Sequence, residues 1–152
     1  IATNTMHIVA DRIEAAAGIP VLHIGDPTAD AIITAGVDTV GLLGTRFTME
    51  KAFYRERLEA RGLTVLVPDA DDIATVNRVI YDELCLGVIR DESREEYRRV
   101  IRRLVDNGAE GVIYGCTEIE LLIRQADVDL PVFPCTTLHV EAALDRALAD
   151  PS

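Results

Sequence analysis

The sequence predicts an α/β fold built on a mainly parallel sheet. Three observations carry that expectation: short continuous apolar runs of the kind buried on both faces, stretches of helical spacing between them, and glycine or proline at most junctions. The 152 residues are 49% hydrophobic but only 5% aromatic. That is enough apolar surface for one core, and the core must be aliphatic.

The chain opens on Ile1-Ala2-Thr3-Asn4-Thr5-Met6-His7, an apolar stub that stops at small polar residues and runs into a helix. A strand ending this way puts the polar side chain at the carboxyl edge of a parallel sheet, beside free backbone N–H groups. Met6, Val9, Ala10, Ile13 and Ala17 keep helical spacing, and Gly18 with Pro20 supplies the stop. Residues 21–24 read as a short buried strand. Asp26-Pro27 is a helix start, with Ile32 and Ile33 on the apolar side as far as Gly36. Thr-Val-Gly-Leu-Leu at 39–43 predicts a strand covered on both faces. Gly44-Thr45-Arg46-Phe47-Thr48 follows, with Thr48 expected to cap a helix carrying Phe53, Tyr54 and Leu58 and closing at Gly62. The strand at 64–67 is stopped by Pro68. The acidic turn at 69–72 opens a helix that buries Ile73, Val76, Val79, Ile80 and Leu84, because carboxylates favour the positive end of a helix dipole.

Beyond Gly87 lies an arginine-rich helix ending at Asn107-Gly108. Its Arg98, Arg99, Arg102 and Arg103 alternate with Tyr97, Val100, Ile101, Leu104 and Val105, which predicts a solvated basic face. A strand at 111–115 feeds a second corner, Gly115-Cys116-Thr117-Glu118, where Thr117 to Glu120 spells a Thr-x-x-Glu capping box. A last strand at 131–133 precedes a helix carrying Val140, Leu144 and Leu148.

Twenty-six acidic against fifteen basic residues give a net charge of −11, which opposes nucleic-acid or anionic-membrane binding as a general role. Cys85, Cys116 and Cys135 are an odd number, far apart and without a CxxC pair, as suits a reducing, cytoplasmic setting. No signal peptide and no apolar run long enough to span a bilayer is visible. His23 and His139 form no metal-ligand spacing. The opening stub is too short to fill a sheet position, so residues preceding Ile1 are expected to belong to the working protein.

Cys116 follows a buried strand and precedes a helix, so N–H groups and the dipole should favour its thiolate; the alternative is a small buried apolar residue. Thr3 is a poor base without a neighbour or a water, and Thr-Asn-Thr before a helix also suits simple capping. His7 could orient the site or be purely structural. Gly41 to Thr48 lacks the Gly-Lys-Ser/Thr ending of a phosphate loop; what remains is a threonine-lined turn suited to a carboxylate.

Asn4-Thr5 with His7, Gly41-Leu42-Leu43-Gly44-Thr45 with Thr48, and above all Gly115-Cys116-Thr117-Glu118 resemble the aspartate/glutamate racemase family, most closely the branch with Thr-Asn-Thr-Met-His at its first corner. The resemblance implies two pseudo-symmetric α/β domains with the active site between them. Residues 1–25 would then be the remnant of a truncated first domain, 36–134 the second domain, and 135–152 a helix returning to the first. It implies cofactor-independent proton transfer at Cα of aspartate, glutamate or a related amino acid, in a homodimer, with Thr3 and Cys116 as the acid/base pair. Asn4, Thr5, Thr45, Thr48, Thr117 and Glu118 match substrate-binding positions. Cys85 stands where some aspartate-specific members carry a lysine, which leaves substrate choice open. The alternatives are hydantoin racemisation, maleate isomerisation, malonate decarboxylation or a non-catalytic binding protein, and activity is expected of the parent protein rather than of these residues alone.

Overall fold

The computed structural model describes residues 1–149 and contains one four-stranded sheet, order β2-β1-β3-β4, in which every neighbouring pair is parallel. Its strands are β1 (Thr39–Gly44), β2 (Thr64–Leu66), β3 (Gly111–Gly115) and β4 (Val132–Pro134). The helices are α1 (Ala10–Ala17), α2 (Gly25–Thr34), α3 (Arg46–Glu50), α4 (Ala52–Glu59), α5 (Ala70–Asp82), α6 (Asp91–Asp106), α7 (Ile119–Leu122) and α8 (Cys135–Leu148). The α/β class with a parallel sheet is the one expected.

The two most continuous apolar runs, β1 and β3, form the centre of the sheet and pair from Val40↔Gly111 to Gly44↔Gly115. Val40, Leu42, Leu43, Val112 and Ile113 are fully buried, so both faces are covered, as an apolar run without period two requires. On the helical side α2 packs against α4 and α8, and α5 against α6. Asp69 caps α5 by accepting from the Asp72 amide at 2.9 Å, as the acidic turn predicts. Gly18 closes α1 with a φ of 68°, a conformation that favours glycine.

Several local expectations need correction. Residues 21–24 are not a strand: the Val21 amide donates to Glu14 at 2.7 Å and that of Ile24 to His7 at 3.1 Å, so no sheet partner is needed. At the first corner the helix expected from Met6 starts only at Ala10; a 3-10 turn, Thr5–Val9, precedes it, and Met6 and Ile8 stay exposed. Thr48 is not a cap. Thr45 caps α3 by accepting from the Thr48 amide, and Lys51 adopts an extended conformation that separates α3 from α4. The capping box at the second corner does not form, because α7 starts only at Ile119 and the Thr117 hydroxyl donates to Glu118 instead. Leu84 is buried, but in a 3-10 turn after α5. The arginines of α6 are only partly a free face: Arg98 donates to the Asp127 carbonyl and pairs with Glu95, and Arg103 pairs with buried Asp72.

Candidate active site

β1 and β3 end level with one another, because Gly44 and Gly115 are register partners. The residues that follow, Thr45 and Cys116, therefore leave the carboxyl edge of the sheet side by side, where open α/β sheets form their ligand crevice. Gly115 is needed for this closeness: a Cβ there would stand 2.9 Å from the Leu43 carbonyl oxygen and 3.0 Å from Leu42 Cδ1. The 3-10 turn at Thr5–Val9 brings the amino-terminal corner to the same place.

A cavity of about 190 Å³ lies between the corners. At ~30 Å³ for each water it displaces, that is the scale of a small amino acid. Thr3, Asn4, Thr5, Thr45, Thr48, Cys116, Thr117 and Glu118 all line it, joined by Ile80, Tyr81, Cys85 and Gly115. The residues singled out as acid/base or substrate-binding candidates are thus in one place, whereas His7 does not line it. Ile80 and Tyr81 were missed. The sequence signal for them is weak: an aromatic residue, Tyr81, follows Ile80 at the end of a helix whose apolar buried positions are aliphatic.

The polar groups are mostly hydroxyls. The Thr45 and Thr48 hydroxyls sit 3.2 Å apart and are buried. Asn4 is buried as well, with its amide directed at the Cys135 thiol at 3.3 Å. Thr3 is exposed. The lining side chains carry one formal charge, the Glu118 carboxylate, whose Oε2 accepts from Cys116 Sγ at 2.8 Å and from the Thr117 hydroxyl at 2.6 Å. Burial alone would raise this carboxyl, yet the hydrogen bonds from Cys116, Thr117 and its own amide outweigh it and hold Glu118 below its usual range.

The thiolate expected at position 116 is not what this environment favours. Burial first, and then the Glu118 carboxylate, push the Cys116 thiol up to about 12. The dipole expected to oppose this is weak, because α7 has only four residues and begins three positions beyond Cys116. The sulfur is a protonated donor to Glu118. Among the described residues no group of three or more histidine, cysteine or acidic side chains could hold a metal ion, and no helix is long and apolar enough to cross a membrane.

Residues 1–143 match the sequence profile of the Asp/Glu/Hydantoin racemase family. The chain belongs to that family. A crystal structure from Yersinia pestis, assigned as an Asp/Glu racemase, is 56% identical and superposes with a TM-score of 0.91 over 96% of this chain and 64% of that one. An aspartate racemase homologue from Pyrococcus horikoshii is 37% identical, with a TM-score of 0.87 over 95% of this chain and 64% of that one. The broad-specificity amino-acid racemase RacX of Bacillus subtilis is 23% identical over 96% of this racemase-family chain and 63% of its own length. The chain therefore spans less than two thirds of the length of these relatives.

Proposed function

We propose that the protein is a cofactor-independent amino-acid racemase acting on aspartate, glutamate or a related amino acid by two-base proton transfer, with Thr3 and Cys116 as the acid/base pair. One observation carries the reading. Two corners far apart in sequence line the same small cavity, each presenting a side chain able to carry a proton, and hydroxyl donors surround them.

The chemistry follows from elementary requirements. A Cα proton is weakly acidic, so donors must gather around the substrate carboxylate as negative charge moves onto it. Thr5, Thr45 and Thr48 supply such donors, and Thr117, whose hydroxyl donates to Glu118 in the resting site, joins them once it turns to the substrate. A thiol raised to about 12 is no base in the resting site, but Glu118 is within 2.8 Å to take its proton. The ammonium group of a bound amino acid brings the positive charge that the lining side chains lack and favours the thiolate. The Cα–H bond then breaks toward sulfur, its electron pair spreads into the carboxylate, and a proton reaches the opposite face from Thr3, directly or through a water at this exposed position; solvent reprotonates Thr3 and takes up the proton that Glu118 received, which restores both groups. Abstraction by Cys116 is the faster half, since a threonine hydroxyl gives up its proton far less readily. Residues 1–25 act here as part of one cleft wall and 36–134 as the other, in a cytoplasmic homodimer.

A binding protein is the second reading, favoured by the protonated thiol. Incubation in heavy water with each enantiomer of aspartate and glutamate separates the two. Deuterium at Cα with inversion is the expected result, and no label from either enantiomer of any amino acid would leave the binder.

A further inference from the structure

The three histidines, distant in sequence, meet beneath the amino-terminal corner. The ring of His7 lies 4.5 Å from that of His23 and 6.0 Å from that of His139, both edge-on, and all three residues are buried. None of them lines the cavity between the corners. His7 Nδ1 is 2.8 Å from the Thr3 carbonyl oxygen, which can only accept, so this nitrogen carries the hydrogen. Its Nε2 accepts from the Ile24 amide at 3.1 Å, and His23 Nδ1 accepts from the Gly25 amide at 3.1 Å. Ile24 and Gly25 open α2, so two of that helix's free amides are capped by imidazole lone pairs. A proton on either accepting nitrogen would set a donor against an N–H group at the positive end of a dipole.

We propose that His7, kept uncharged by this arrangement, is the positioning residue of the Thr3 corner: it ties the Thr3 backbone to a helix anchored in the core through Ala29 and Ile32. The proposal rests on the two-base reading above. Burial lowers His7 and, more strongly, His23, to about 4. The charged groups facing the cluster are the amino terminus at Ile1, Asp11, Glu56 and Arg57, with Asp26 paired to Arg57 at 2.8 Å; the titratable His139 faces it from α8. Among the described residues no carboxylate hydrogen-bonds either ring; the Thr3 and Leu22 carbonyls at His7, and Asp26 and Asp11 at His23, favour a proton there, but burial outweighs them.

Nitrogen-15 NMR of the full chain tests the clamp without any activity. His7 should be neutral at pH 7 as the Nδ1–H tautomer and titrate below the ordinary histidine range, and the Ile24 and Gly25 amides should lose exchange protection over the same interval. The other tautomer, or ordinary titration with an undisturbed Ile24 amide, would overturn it. Two variants test the positioning role. His7→Asn places its amide nitrogen near Nδ1 and keeps the bond to Thr3, whereas His7→Gln reaches the Nε2 position and keeps only the Ile24 contact. In heavy water His7→Gln should cut inversion roughly 10- to 100-fold, the scale of a misplaced reacting group. Label without inversion should persist from the enantiomer facing Cys116, and His7→Asn should restore most of the inversion. Equal losses in the two variants, or label lost together with inversion, would contradict the role. If the unaltered chain neither labels nor inverts, the racemase reading falls and the NMR result alone decides the clamp.

Discussion

At residue scale the site turns on one contact, Cys116 Sγ to Glu118 Oε2 at 2.8 Å. A thiol pushed up to about 12 by burial and a carboxylate should alkylate slowly at neutral pH. With Cys85 replaced by serine to silence the exposed thiol, the rate of Cys116 modification should still be rising at pH 9, and Glu118→Gln should move that rise to lower pH by removing the negative charge. Rapid modification at pH 7 in the parent would contradict the assignment. The position of Cys116 was legible in the sequence; its protonation state was not. Ionisation depends on what covers the sulfur, and that cover includes Ile80, Tyr81 and Cys85 near the far end of α5, about thirty residues upstream. Glu118 misled in the same way: its motif suggests a neighbouring cap, whereas its carboxylate turns back onto Cys116 and Thr117.

At the scale of elements, β1 and β3 could be read directly because unbroken apolar runs leave a strand no face for solvent. The segment at 21–24 shows the limit of that rule. Val21, Leu22 and Ile24 look like strand residues, but side chains from α1 and the 3-10 turn take the Val21 and Ile24 amides first. Capping failed for a related reason: Thr45 and Thr48 are both able to cap, and only the level at which β1 ends decides between them. Two substitutions test this level. Gly115→Ala should cost about 1–3 kcal/mol of unfolding free energy by pressing a methyl group against the β1 backbone. Asp69→Ala should cost about 1 kcal/mol through loss of the α5 cap. Denaturant melts measure both, and a Gly115→Ala chain as stable as its parent would mean that β1 and β3 are not held at this spacing.

At the scale of the whole molecule, stability should depend on acid through the histidine cluster. The folded chain resists protonation at His7 and His23, whereas the unfolded chain takes up those protons near 6.5. Unfolding therefore binds protons, so stability is full above about 6.5, declines as the pH falls, and for His23 stops declining near 4. Melting temperatures from pH 8 to 4 should follow that course, and His23→Gln should flatten it; a course unchanged by that substitution would remove His23 as a cause. The meeting of the three histidines could not be read from spacings of sixteen and 116 residues, because it is created by α2 and α8 packing together. The parallel α/β class could, since it needs only the alternation of strands and helices.

The central claim, that Thr3 and Cys116 serve opposite faces of one carbon, is tested most directly by comparing Thr3→Ala with Cys116→Ala in heavy water. The account predicts that Thr3→Ala still labels Cα from one enantiomer while losing inversion, and that Cys116→Ala abolishes label from that same enantiomer. A Thr3→Ala chain that inverts as well as its parent would contradict it.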